Sequence, residues 1–109
     1  MPLLFAYGTL QDAGVKQRIF GRMPDGEPDE LPGFEISWHR APQLADAHGK
    51  PHYLVIRFTG KPDSRISGAV YELSERELSL ADAYETNAYR RILVRLASER
   101  DAWVYVAGE

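Results

Sequence analysis

The stretch V-Y-E-L-S-E-R-E-L-S-L-A-D-A-Y-E-T, Val70–Thr86, carries the best-marked boundary in the chain. Ser74 is a good N-cap, Glu77 follows it three residues on, and Leu73 and Leu78 occupy the two positions of a hydrophobic staple. A helix therefore starts at Ser74. At about 100° per residue, Ala81, Asp82 and Glu85 continue the line that begins at Leu78. A carboxylate thus extends an apolar stripe. Leu80 and Tyr84 lie on a second apolar arc about half a turn away, and the pattern leaves open which arc faces the core.

Working outward, Ile66 to Leu73 reads as a strand preceding this helix, after the turn-rich stretch Thr59-Gly60-Lys61-Pro62-Asp63. Leu54, Ile56 and Phe58 alternate on the other side of that turn, which predicts a hairpin. Phe34, Ile36 and Trp38 form an earlier strand. Beyond the helix, Ile92, Val94 and Leu96 make another, and Trp103 to Val106 the last, across the polar turn Ser98-Glu99-Arg100-Asp101. At the N-terminus, Leu3 to Tyr7 is an unbroken apolar run and suits a central strand buried on both faces. Gly8 and Thr9 stop it. Asp12 then caps a short helix with Val15 and Ile19 on one face, closed by Gly21. The order β-α-β-β-β-α-β-β, with short turns and two helical crossovers, implies an α+β layer or partly closed barrel with mostly antiparallel pairing.

A chain of 109 residues reads as one domain over 1–109, able to bury roughly 60–70% of its unfolded surface. Its 44% hydrophobic and 27% charged residues are those of a soluble globular protein. No apolar run is long enough for a bilayer, and Met1-Pro2-Leu3-Leu4 lacks the parts of a secretory signal, so the expected location is the cytoplasm. The absence of cysteine excludes disulfides, a thiol nucleophile and cysteine-ligated zinc. A net charge of −3 gives no electrostatic reason to expect nucleic acid or anionic lipid as partner.

Two features have a bland and a chemical reading. Glu85 is either a helix-terminal carboxylate that points to water or pairs with Arg90 or Arg91, or a carboxyl in an apolar pocket, where desolvation and the negative helix end disfavour ionisation and make it a usable general base. Gly8-Thr9 is either a plain strand-to-helix turn or a place where backbone amides are left bare for a ligand. His48 and His52 have helical ligand spacing, but Gly49 and Pro51 argue against a helix, so a solvent loop is expected and no metal site. His39 reads as a strand-end residue with no recognisable serine partner.

F-A-Y-G-T-L (5–10), I-S-G-A-V-Y-E-L-S (66–74) and A-D-A-Y-E-T-N-A-Y-R-R (81–91), taken together, resemble the gamma-glutamylcyclotransferase-like family over nearly the whole chain. The resemblance implies a small mixed, mostly antiparallel β-barrel of about six strands with two flanking helices. It implies that Tyr7, Gly8, Thr9 and Leu10 form the substrate-binding loop, that Glu85 is the catalytic acid/base, and that no cofactor is needed. The family's helix end usually reads leucine-aspartate-x-leucine-or-tyrosine-glutamate-glycine, whereas Ala81 and Thr86 stand here for the leucine and the glycine.

In the reaction implied, the α-amine of a gamma-glutamyl compound attacks its own γ-carbonyl, closing 5-oxoproline and expelling the free amine. Nucleophile and electrophile share one molecule, so orientation supplies much of the rate. One carboxylate with a raised pKa can take the proton from the α-ammonium and return one to the leaving nitrogen. Amides of the Tyr7–Leu10 loop would face the oxyanion and the substrate carboxylate. Tyr89 and Arg91, close after Glu85, are candidates for orienting substrate or base, although Tyr89 equally reads as the start of a strand. A non-catalytic module that binds a gamma-glutamyl or related amino-acid derivative is the alternative function. A third reading, a carboxylate-pair hydrolase using Glu85 with Asp82, has two residues on one helix end that do not readily flank a scissile bond. No motif names the released amine or an oligomeric state.

Overall fold

The computed structural model describes residues 1–40 and 52–107. Strand β1 (Leu3–Ala6) is apolar on both faces because it sits in the middle of a five-stranded sheet. On one side it pairs antiparallel with β5 (Arg65–Glu72), which pairs in turn with β2 (Gly26–Pro32). On the other it runs parallel to β7 (Asp101–Ala107), which pairs antiparallel with β6 (Tyr89–Arg95). The sheet order is therefore β2-β5-β1-β7-β6, and β3 (Phe34–Arg40) with β4 (His52–Phe58) makes a separate two-stranded sheet. Helix α1 (Ala13–Phe20) follows β1, and α2 (Glu75–Glu85) follows β5. The result is a mixed α+β fold with two helices and mainly antiparallel strands, seven of them among the described residues.

Three expectations need correcting. The strands are not closed into a barrel, since the five-stranded sheet and the β3–β4 pair remain distinct. The hairpin expected across Thr59–Asp63 does not form. The Gly33 carbonyl accepts from the amides of Thr59 and Gly60, and the Gly33 amide donates to Ser64, so the turn wraps onto Gly33 and sends β4 and β5 into different sheets. Strand β2 is a further strand beyond the six expected. Its sequence G-E-P-D-E-L-P has no apolar alternation, and Pro28 and Pro32 fit only an edge position, which is where it lies.

Alternation along β1 divides the core. Phe5 packs with Leu31, Phe34, Ile56, Ile66 and Val104 on one face, while Leu4 and Ala6 join Leu10, Leu73, Leu78, Ala81 and Tyr105 under the helices. β5 passes β1 so closely that a Cβ on Gly68 would collide with the Ala6 carbonyl oxygen and the Phe5 ring.

Both helix starts form as their sequences require. The Asp12 carboxylate accepts from the Val15 amide at 3.1 Å, and Gly21 closes α1 in the left-handed conformation (φ 72°). At α2 the Ser74 hydroxyl accepts from the Glu77 amide at 3.1 Å, and the Glu77 carboxylate accepts from the Ser74 amide at 2.9 Å. Arg22 adds two charged hydrogen bonds to Glu77, of 2.6 and 2.8 Å, which together with the Ser74 amide hold its carboxyl at about 2 against the opposing effect of burial. The start of α2 is thereby fixed by its cap, its staple and a tie to the chain just after α1. No helix among the described residues is long and apolar enough to cross a membrane.

Candidate active site

The Leu78 line of α2 faces the core. Leu78 is 3% exposed, Ala81 0% and Glu85, the last helical residue, 9%. Leu80 and Tyr84, on the second arc, are half-buried at its flank. Burial alone moves the Glu85 carboxyl up from its ordinary 4.5 to about 7. Among the described residues no ion pair or side-chain hydrogen bond reaches it.

The partners that the bland reading would give Glu85 are placed elsewhere. Arg91 makes a two-pronged contact with Asp82, 2.5 and 2.9 Å, and its guanidinium carbon lies 4.6 Å from the centre of the Trp103 ring. Arg90 is exposed. The Arg91 hydrogen bonds, helped by one of 2.8 Å from the Tyr105 hydroxyl, hold the Asp82 carboxyl below its usual range although burial opposes them. Two carboxyls three residues apart on one helix are thus driven in opposite directions, Asp82 down by a cation and Glu85 up by desolvation.

The loop after β1 comes to the same helix end. The Tyr7 phenol donates to the Tyr105 carbonyl at 2.7 Å, and burial, then the charges of Tyr89 and Glu85, push its pKa well above normal. Gly8 and Thr9 accept through their carbonyls from the Gln11 and Asp12 amides at 3.1 and 2.9 Å, closing a short 3-10 turn over Thr9–Gln11. Among the described residues the amides of Gly8, Thr9 and Leu10 have no acceptor. A Cβ on Gly8 would meet nothing within 4 Å, so crowding by the protein does not require glycine there. Leu10 is buried in the helix-side core, and the Thr9 hydroxyl oxygen lies 2.8 Å from that of Tyr84, the residue before Glu85. Tyr89 opens β6 with its ring edge-on to Tyr105, centroids 6.5 Å apart.

An open depression of about 590 Å³ lies beside this cluster, lined in part by Asp82, Thr86, Tyr89, Arg91, Trp103 and Tyr105. Neither Glu85 nor the Tyr7–Leu10 loop lines it; Tyr89 and Tyr105 are the side chains shared between the two regions. No local sequence pattern places Trp103 or Tyr105 beside the site, because their position follows from β7 lying parallel to β1. Of the histidines, His39 falls in β3 and His52 opens β4, not a loop, while His48 lies outside the described residues. Among the described residues no acidic or histidine cluster fits a metal ion.

Immediately after Glu85, Thr86 has φ 62° and ψ −166°, a region that glycine occupies freely and a β-branched residue does not. Its hydroxyl accepts from the Ala88 amide at 3.3 Å. Such strain costs about 1–3 kcal/mol, and a glycine there returns roughly 0.5–1 kcal/mol of it as unfolded-chain entropy. Thr86→Gly is therefore expected to stabilise the protein by about 1 kcal/mol in urea unfolding. A loss of stability would mean that the threonine contacts outweigh the strain.

The fold and the sequence both have relatives. A solution structure of an Arabidopsis thaliana protein matches with a TM-score of 0.74 at 21% identity, over 98% of this chain and 62% of that one. An uncharacterized Homo sapiens protein matches at 0.75 and 16%, over 98% and 66%, and a gamma-glutamyl cyclotransferase at 0.72 and 18%, over 96% and 65%. The chain thus spans just under two thirds of the length of each, and at these identities the likeness is one of fold. A search of curated proteins finds no match. The sequence itself is matched over residues 4–109, from β1 through β7, by the family model described as gamma-glutamyl cyclotransferase, AIG2-like, and the chain belongs to that family.

Proposed function

We propose that this protein cyclises a gamma-glutamyl amine or amino acid to 5-oxoproline and releases the free amine, with Glu85 as general acid/base. The observation that carries the reading is a buried carboxyl, raised to about 7 without a counter-charge among the described residues, at the helix end that meets the Tyr7–Leu10 loop. A carboxyl near 7 is divided between its two forms at neutral pH, as a group that must both accept and return a proton requires.

The Glu85 carboxylate takes a proton from the substrate's α-ammonium. The freed amine attacks the γ-carbonyl, a C–N bond forms, and the carbonyl electrons pass to oxygen. The unpaired amides of Gly8, Thr9 and Leu10 supply donors for that oxyanion or for the α-carboxylate. The oxyanion then collapses, the bond to the leaving nitrogen breaks as Glu85 returns the proton to it, and the second proton on the ring nitrogen passes through Glu85 to the released amine, which leaves as its ammonium. The substrate carries its own nucleophile, so the lack of cysteine is no obstacle.

The test is incubation of the purified chain with gamma-glutamyl derivatives of an amino acid, a polyamine, a lysine side chain and a peptide, followed by quantitation of 5-oxoproline. Stoichiometric 5-oxoproline and amine from at least one of them is expected. Saturable 5-oxoproline binding with no turnover of any would replace this reading with that of a binding module.

A further inference from the structure

The Tyr7–Leu10 turn has little of its own to hold it. Two backbone hydrogen bonds close it, three successive amides are unpaired among the described residues, and Thr9 is exposed. Among the described residues, two contacts tie it to the helix-side core beyond β1 and the Tyr7 phenol. Leu10 is buried to 5% among Leu4, Leu78 and Ala81, and the Thr9 hydroxyl meets the Tyr84 hydroxyl at 2.8 Å. The second tie joins residues 75 apart in sequence and ends one residue from Glu85. Tyr84 belongs to the second arc of α2, whose purpose the sequence pattern left unexplained. Its ring packs against the same helix-side core as Leu10.

We propose that Tyr84 is a positioning residue: its hydroxyl clasps Thr9 and so fixes the Gly8–Leu10 amides relative to the Glu85 carboxyl, the inference resting on the cyclotransferase reading above. Tyr84 and Glu85 are consecutive residues of one helix, so a hydrogen bond from the loop to the first sets its distance to the second through a single rigid backbone step. Leu10 anchors the loop by burial, which has no directional preference of its own. The hydroxyl pair adds the missing direction. Misplacement of positioning groups by about 1 Å can cost about 10²-fold in rate, and here the groups at stake are the proton acceptor and the oxyanion donors of one reaction.

The test is a double-mutant cycle. Tyr84→Phe keeps the ring and removes only the hydroxyl; Thr9→Val removes its partner. Each is expected to lower kcat/KM for 5-oxoproline formation about tenfold, with kcat carrying at least half of the loss on a logarithmic scale, and the double variant is expected to lie within threefold of the worse single one. The pH midpoint of activity should not move, because the base itself is untouched. In parallel, hydrogen exchange of the Gln11 and Asp12 amides, which close the turn, should speed up several-fold in Tyr84→Phe. Multiplying losses in the double variant, or wild-type exchange of the Gln11 and Asp12 amides in Tyr84→Phe, would overturn the clasp. If the wild type forms no 5-oxoproline the cyclotransferase reading fails, whereas unchanged exchange at Gln11 and Asp12 would by itself refute the clasp, so the two failures are distinguishable.

Discussion

Glu85→Gln is expected to lower kcat for 5-oxoproline formation by about 10²–10⁴-fold while leaving 5-oxoproline binding in place. The amide has the carboxyl's size and can occupy the same pocket at the end of α2, but it cannot accept the proton from the α-ammonium. The same variant reports on burial through stability. With the folded carboxyl at about 7 and its ordinary value at 4.5, the folded state holds a proton that the unfolded state has lost anywhere between those values. This contribution is complete below about pH 4.5 and is lost as pH rises through 7, so burying the ionised form above pH 7 costs roughly 3 kcal/mol. Glutamine carries no such cost. The variant should match the wild type in acid and exceed it in melting temperature at pH 8. A variant less stable than wild type at pH 8 would mean that the carboxylate has a stabilising partner, and full activity would remove Glu85 from the chemistry.

Gly8→Val is expected to abolish most activity, by about 10²-fold or more in kcat/KM, without unfolding the protein. A β-carbon on Gly8 points into open space, so crowding gives no reason for a loss of stability. That open space lies at the head of a run of three unpaired amides, and a branched side chain there would stand between those donors and any ligand approaching them. Gly68→Ala would not serve as such a probe, because its methyl group collides with the Ala6 carbonyl in the packed sheet. A folded Gly8→Val variant with unchanged turnover would reduce the stretch to a turn.

The parts of this fold that sequence reveals are those decided by near neighbours. The Ser74–Glu77 box and the Leu73–Leu78 staple mark α2 because all four groups lie within six residues. The apolar run Leu3–Ala6 marks a central strand because both of its faces are covered. Pairing between distant strands is another matter. The turn residues at Thr59–Asp63 look like a hairpin, yet they serve Gly33, 26 residues before Thr59, and the strand that actually lies beside β5 is the proline-bearing β2. In the candidate site, the 3.6-residue period already aligned Glu85 with Leu78, but only the packed structure tells that this line faces the core and that Asp82 takes Arg91. The Thr9–Tyr84 contact had no signal at all beyond an unexplained apolar arc.

The proposed chemistry depends on the ionisation of one side chain, and that can be measured directly. Carbon-13 labelling of the glutamate carboxyls, with Glu85 assigned by the resonance missing from Glu85→Gln, gives its titration by NMR between pH 3 and 9. The Glu85 resonance is expected to move with a midpoint near 7, apart from Glu77, whose carboxyl Arg22 holds at about 2 and which therefore stays ionised across nearly all of that range. A Glu85 midpoint at or below 4.5 would show an ordinary or paired carboxylate and contradict its assignment as a desolvated general base.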